Sequence, residues 1–135
     1  MGFDPLLAMP SLSDFADVIA KRSADIKAVL LDQGFAAGVG NWVADEVLYQ
    51  ARVHPQEPAK ELHAKAVKAL FQSLAGVVQT ACRVNADSAK FPKTWLFHYR
   101  WGKGSGAVTD AKGRPVRFVT SGGRTSAFVP MLQQL

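Results

Sequence analysis

Hydrophobic residues recur at intervals of three and four between residues 62 and 81, with polar residues at the positions between them. This spacing places a single apolar stripe along an α-helix, so the pattern predicts a helix that faces the core. The stripe is fully explained by packing and indicates no function. Its members are Leu62, Ala66, Val67, Leu70, Leu74, Val77, Val78 and Ala81.

Three shorter helical patterns precede this one. The first follows Ser13, which we expect to be its N-cap. The second runs from a cap at Ser23 to Gln33, and Gly34 is expected to take the left-handed conformation that ends many helices. The third covers residues 42–51. Four helices are therefore predicted in the first two thirds of the chain.

The pattern changes after Phe91-Pro92, where short alternating runs are separated by turn residues. Residues 110–114 and 121–123 are expected to turn two hairpins, and residues 102–106 ("GKGSG") to form a flexible loop. The predicted fold is mainly α: a helix bundle over residues 1–92, followed by a small basic antiparallel β-hairpin module over residues 93–135.

The formal net charge of +5 lies entirely in the last third of the chain. Residues 1–90 carry nine Lys or Arg against ten Asp or Glu, whereas residues 91–135 carry seven against Asp110 alone. Aromatic residues between 95 and 101 are interleaved with this charge, a combination typical of a surface that binds a polyanion. A merely solvated surface explains the charge equally well.

The sequence gives little indication of a metal site, a disulfide or a membrane span. Cys82 is the sole cysteine, so an internal disulfide and a multi-cysteine zinc site are excluded, and we expect Cys82 to be a small buried residue. His54, His63 and His98 do not have the spacing of a metal site. No apolar run reaches the ~18 residues of a membrane span. We expect no metal, no cofactor and an intracellular location.

Gly38, Gly40 and Asn41 separate the second and third predicted helices. The first amides of a helix lack intrahelical partners and lie at its positive end, so glycines before a helix leave room for a phosphate. Asn41 is expected to cap the helix and to donate its side-chain amide outward. A tight interhelical turn capped by Asn41, with no ligand, accounts for the same residues.

A second candidate is "SGGRT", residues 121–125, where Gly122 and Gly123 place Arg124 on a tight turn. A guanidinium there has donors in a fixed fork that fits phosphate oxygens. Alternatively, Arg124 is merely exposed at the tip of a hairpin and binds no ligand.

Two other features are expected to serve packing. Asp45 and Glu46 are adjacent on a helix and cannot face each other as an acid–base pair, so we expect one of them to be a buried packing carboxylate. The aromatic residues from Trp95 to Trp101 are expected to pack the basic module onto the bundle rather than to stack on bases.

Taken together, these segments resemble the formamidopyrimidine-DNA glycosylase/endonuclease VIII family. "LLDQGFAAGVGNWVADEVLYQARVHP" (30–55) is similar to its helix–two-turn–helix signature, and "VRFVTSGGRTSAFVP" (116–130) to its C-terminal hairpin. The missing cysteines indicate the zincless-finger branch of plant, fungal and animal members. The resemblance covers nearly the whole chain, in order.

The resemblance implies that Gly40, Asn41 and Arg124 hold DNA phosphates around a damaged base or abasic site in double-stranded DNA. Supporting roles would fall to Gly38, Gly122, Gly123 and Thr125. The family's catalytic proline and glutamate belong to an N-terminal domain, whereas this chain begins Met1-Gly2-Phe3. We therefore expect no catalytic residue here, no base excision by the chain alone, a separate N-terminal catalytic domain as partner, and nuclear localisation.

Two other functions compete with DNA binding. Base release and strand nicking would survive in this chain if another amine served as nucleophile. Alternatively, the chain is a helical protein-interaction module whose DNA surface is vestigial. Neither "GVGN" nor "GGRT" is needed for a bundle to pack, which favours the DNA-binding hypothesis.

Overall fold

The structure is a computed structural model that describes residues 2–102 and 107–135. Its helices are α1 (Leu12–Ala20), α2 (Ile26–Leu31), α3 (Asn41–Ala51) and α4 (Ala64–Arg83), with short 3₁₀ turns at Ala59–Glu61, Ser88–Lys90 and Leu96–His98. The strands β1 (Arg117–Ser121) and β2 (Arg124–Phe128) form one antiparallel hairpin. The predicted fold class, four helices followed by a hairpin, is confirmed.

The helices pack because each has an apolar face. Phe15 and Ile19 of α1, Val47 of α3, and Leu70 and Leu74 of α4 are all buried in one core. The long stripe of α4 faces this core, as its spacing predicts. No helix within residues 2–102 and 107–135 combines the length and apolar character required to span a bilayer.

The helix ends differ from the prediction. Ser11 rather than Ser13 caps α1, because its Oγ accepts from the Asp14 amide at 3.1 Å. The second helix begins at Ile26 instead of near Ser23, and it ends at Leu31. Gly34 does not take the left-handed conformation; its amide donates to the Asp32 carboxylate at 2.9 Å.

An aromatic cluster joins the segment after α4 to the start of α3. Trp42 packs against Phe91 and Phe97 with ring centroids 5.2 and 5.0 Å away, and Trp95 stacks beside Phe91 at 5.1 Å. The predicted packing role is therefore confirmed for Trp95 and Phe97. It is wrong for Trp101, which is 61% exposed. Since these contacts cross the expected boundary at residues 92–93, the division into two domains stays a prediction.

The hairpin has the predicted turn. Ser121 pairs with Arg124, and Gly122 and Gly123 between them have φ of 64° and 73°, the positive values that a type I′ hairpin turn requires at both positions. The expected turn at residues 110–114 is also present, closed by a bridge between Thr109 and Pro115. Most of the predicted loop at 102–106 lies outside the described residues. Cys82, expected to be buried, is exposed.

Candidate nucleic-acid interface

The loop before α3 leaves open space where the helix begins. Gly38 has a left-handed φ of 82°, and the Gln33 side chain braces it: Oε1 accepts from the Gly38 amide at 2.7 Å and Nε2 donates to the Val39 carbonyl at 3.1 Å. A Cβ added at Gly38 or Gly40 would meet no atom within 4 Å. Gly40 also has an extended φ of −95°, so neither backbone nor packing requires glycine there. Glycine would be needed at position 40 if an external ligand approached the backbone there.

Asn41 does not cap α3, which corrects the prediction. Gly40 occupies the N-cap position, and Asn41 is the first residue of the helix. Its Nδ2 instead donates to the Thr125 carbonyl at 3.1 Å, across 84 positions of sequence. Since an amide nitrogen carries two hydrogens, one remains for a further acceptor. The side chain therefore joins the start of α3 to the tip of the hairpin.

The hairpin tip is seated on α2. A Cβ at Gly122 would lie 3.1 Å from the Ala28 Cα and 3.3 Å from the Leu31 side chain, whereas at Gly123 it would meet nothing within 4 Å. Gly122 is thus required for a close approach, and Gly123 for its positive φ alone. Arg124 follows as an exposed residue beside Thr125, whose carbonyl is the acceptor for Asn41. The structure thus brings the two candidate segments together.

A buried ionic cluster lies behind this junction. Lys27 Nζ is 2.7 Å from Asp45 Oδ1, and Arg100 Nη2 is 2.8 Å from Asp45 Oδ2, with Lys27 and Asp45 essentially inaccessible. Lys27 Nζ also donates to the Thr125 carbonyl at 3.0 Å and to Ser126 Oγ at 2.7 Å. Two cations share one carboxylate, so the interior beneath the hairpin tip carries excess positive charge when both are protonated.

Burial lowers the pKa of the Lys27 ammonium, and the nearby Asp45 carboxylate opposes that shift. The charges of Arg100 and Arg124 also lower this pKa, so the Arg124 guanidinium lies close enough for its charge to act on Lys27. Sequence reasoning missed Lys27 entirely. The available signal was a lone lysine within the apolar run of residues 26–31, where a charged side chain needs a buried partner.

Asp45 and Glu46 are both buried and face different parts of the structure. Asp45 Oδ2 additionally accepts from the Ala127 amide at 3.1 Å, which holds β2 against α3. Glu46 accepts from the backbone amides of Leu96 and Phe97 at 3.2 and 2.7 Å and thereby anchors the aromatic segment. Burial raises the pKa of Glu46, although these hydrogen bonds oppose the shift. The sequence predicted one buried packing carboxylate, and the structure has two. They do not form an acid–base pair.

The histidines have local structural roles. His63 Nδ1 accepts from the Ala66 amide at the start of α4, and His54 Nδ1 accepts from the Gln56 amide. Among the described side chains, His, Cys, Asp and Glu nowhere gather in a group of three that would hold a metal ion. That the chain needs no metal or cofactor stays a prediction.

Comparison with known proteins identifies the family. The model of the formamidopyrimidine-DNA glycosylase H2TH domain matches residues 1–93. The chain belongs to the formamidopyrimidine-DNA glycosylase family. It is 47% identical over its full length to the Arabidopsis thaliana formamidopyrimidine-DNA glycosylase, and 31% identical over 99% of its length to that of Listeria innocua. The chain spans only 34% and 52% of these two relatives.

Solved structures of formamidopyrimidine-DNA glycosylases share the fold. The Lactococcus lactis enzyme, non-covalently bound to DNA containing an abasic site, matches with a TM-score of 0.82 at 26% identity. A MutM structure in complex with DNA containing carbocyclic 8-oxo-G matches with a TM-score of 0.82 at 27% identity. Both matches cover the whole chain and 51% of the solved chain. The four helices and the hairpin correspond to the C-terminal, H2TH and zincless-finger portion of the family.

Proposed function

We propose that this chain is the part of a base-excision DNA glycosylase/AP lyase that grips double-stranded DNA around a damaged base or abasic site. Gly40 and Asn41 present the start of α3 to one part of the phosphate backbone, and Arg124 holds another. The observation that carries the proposal is the hydrogen bond from Asn41 Nδ2 to the Thr125 carbonyl, because it makes the helix start and the hairpin tip one surface.

The charge around this surface supports a phosphate partner. Arg124 is exposed at the tip, and the cluster behind it pairs Lys27 and Arg100 with a single carboxylate. Backbone phosphates are bound by such charges without regard to base sequence, and binding releases counterions from the DNA. Affinity should therefore fall steeply as salt concentration rises.

The open space at Gly40 supports direct contact with the backbone of α3. Unpaired amides at a helix start attract anions, and a phosphate reaches them only where no side chain intervenes. The empty surroundings of Gly38 and Gly40 meet that condition. The proposal assigns Gly38, Gly123 and Thr125 to shaping this surface, and Gly122 to seating the hairpin on α2.

The relatives supply the substrate class that we propose. Solved relatives hold DNA with an abasic site or carbocyclic 8-oxo-G, so lesion-containing duplexes are the appropriate ligands for this chain. Since the chain spans a third to a half of its relatives' length, we also propose that a catalytic domain, on the same or another polypeptide, completes the enzyme. This role places the protein in a compartment that contains DNA, for which the nucleus is our prediction.

A titration of variants against a duplex with an abasic-site analogue tests the proposal. Arg124→Ala should weaken binding about tenfold or more, since a charge-assisted hydrogen bond is lost, and should reduce the slope of log affinity against log salt by about one. Asn41→Ala should weaken binding roughly fivefold through loss of a neutral donor and of the link to Thr125. Fluorescence anisotropy at several salt concentrations measures both effects.

Arg117→Ala is the matched control, because it removes the same charge from an exposed site at the other end of the same hairpin. It should lose much less affinity than Arg124→Ala. Equal losses of DNA affinity in the two arginine variants would contradict the proposal, because they would show that binding depends only on overall positive charge. If the chain had no affinity for DNA and bound a protein partner almost independently of salt concentration, the hypothesis of a protein-interaction module would be favoured instead.

A further inference from the structure

Trp101 is a large aromatic side chain that the fold holds in place and yet leaves in solvent. The residue is 61% exposed, in contrast to Trp95, which is 8% exposed in the aromatic cluster. The Arg100 guanidinium lies over the ring, 4.5 Å from its centroid, and the Phe97 ring meets it at 5.3 Å and 81°. These two contacts fix the ring and still leave most of its surface free.

Both supports of Trp101 are themselves anchored in the interior. Asp45 binds Arg100 through Nε and Nη2 at 3.2 and 2.8 Å. The Phe97 amide donates to Glu46 at 2.7 Å, and the Phe97 ring packs on Trp42. A ring with such supports loses little conformational entropy when it binds a ligand. The exposed position is therefore organised for contact.

The same supports connect Trp101 to the proposed DNA surface through a chain of contacts. Asp45 lies one helical turn after Asn41 on α3, and its partner Lys27 donates to the Thr125 carbonyl. Arg100, which lies over the Trp101 ring, thus shares Asp45 with Lys27, and Lys27 shares the Thr125 carbonyl with Asn41. These contacts tie the exposed ring to the junction of helix start and hairpin tip.

We propose that Trp101 stacks on an unpaired nucleobase of the bound DNA close to the lesion. The inference rests on the proposed function, since it needs DNA on the surface formed by Gly40, Asn41 and Arg124. Indole rings stack on any base because every base has a π-face, and Arg100 behind the ring adds positive charge beside the phosphates. A paired base inside an intact duplex is not accessible to the ring, so the contact favours DNA in which pairing is lost.

Three duplexes of one sequence test the stacking. One is fully paired, one carries an abasic-site analogue opposite a normal base, and one carries abasic-site analogues opposite each other. The second duplex contains an unpaired base, and the third keeps the lesion but removes that base. Trp101→Ala should weaken binding of the second duplex about tenfold, within the range measured for base–aromatic stacking, and should leave the other two within twofold.

Trp101→Phe should restore most of the affinity, since a phenyl ring still stacks. Thermal unfolding of both variants should match the wild type, because the substituted side chain lies at the surface. An equal loss on all three duplexes would contradict stacking and indicate a general surface contact. No loss on any duplex would contradict it as well.

Arg124→Ala separates this inference from the proposed function. If Arg124→Ala weakens binding of all three duplexes and Trp101→Ala alters the affinity of none, the proposed function is supported and the stacking is wrong. When the wild type binds none of the duplexes in a salt-dependent manner, the proposed function itself is wrong. A selective loss for Trp101→Ala on the duplex with the unpaired base supports both.

Discussion

At the scale of single residues, the proposed interface depends on Asp45. Its two carboxylate oxygens connect four parts of the chain: Lys27 on α2, Arg100 after the aromatic cluster, Ala127 on β2, and α3 itself. A buried carboxylate with these partners is stable only while the partners remain, since unpaired charge in the interior is costly. Asp45 thus determines how the hairpin is positioned over the helix start.

Substitution of Asp45 should be more destabilising than substitution of either cation. Asp45→Asn leaves Lys27 and Arg100 buried close together without a counter-charge, and we expect a loss of ~3–5 kcal/mol in the free energy of unfolding. Lys27→Met leaves the Arg100–Asp45 pair intact and should cost clearly less. Urea denaturation of the two variants measures the order.

Asp17→Asn provides the control for this comparison, because Asp17 is an exposed carboxylate on α1. It should change the free energy of unfolding by less than ~0.5 kcal/mol. If Asp45→Asn were as mild as Asp17→Asn, or milder than Lys27→Met, the buried cluster would not have the structural role described here.

At the scale of elements, the start of α3 is a place where one substitution should affect DNA affinity and folding stability in opposite directions. Gly40 has N-cap geometry but no side chain to accept from the first amides of the helix, and its surroundings are open. Serine is a preferred N-cap residue, so Gly40→Ser should raise the free energy of unfolding by a few tenths of a kcal/mol. The same side chain would occupy the amides and the space that a phosphate needs.

Gly40→Ser should therefore lower DNA affinity severalfold in a protein that is at least as stable as the wild type. Anisotropy with the abasic-site duplex and a urea titration give the two quantities. Gly76→Ser is the matched control, because Gly76 lies on α4 with no neighbour within 4 Å of an added Cβ. Unchanged DNA affinity of Gly40→Ser would contradict phosphate binding at the helix start.

The elements were largely predictable from the sequence, but their ends were not. The three-and-four spacing of α4 and the glycine pair of the hairpin turn determine local structure through short-range geometry. The start of α1 depends on which of two nearby serines reaches an amide, and Ser11 rather than Ser13 does so. Local pattern does not distinguish the two positions.

The site was predictable only in part, because its decisive contacts are long-range. The glycines and Arg124 were found from turn chemistry and from the family resemblance. The burial of Lys27, the link from Asn41 to Thr125 and the exposure of Trp101 depend on residues more than 50 positions away in sequence or on packing around them. Periodicity and spacing contain no information on such pairings.

At the scale of the whole molecule, the proposed DNA surface combines three kinds of contact. The start of α3 offers backbone amides, the hairpin tip offers a guanidinium, and Trp101 offers an exposed ring, while Asp45 and its partners connect all three in the interior. The apolar stripe of α4 lies within the helical core and accounts for folding. On this proposal, folding and DNA binding use largely separate sets of side chains, joined at α3.

The most direct test is NMR chemical-shift mapping of the 135-residue chain during titration with an abasic-site duplex. The largest amide shifts should occur together at residues 38–41 and 123–125, with the same dependence on DNA concentration, and the Trp101 indole should shift with them. Amides on the outer face of α1 should change little. Shifts confined to only one of the two segments, or centred on α1 and α4, would contradict a single DNA-binding surface formed by helix start and hairpin tip.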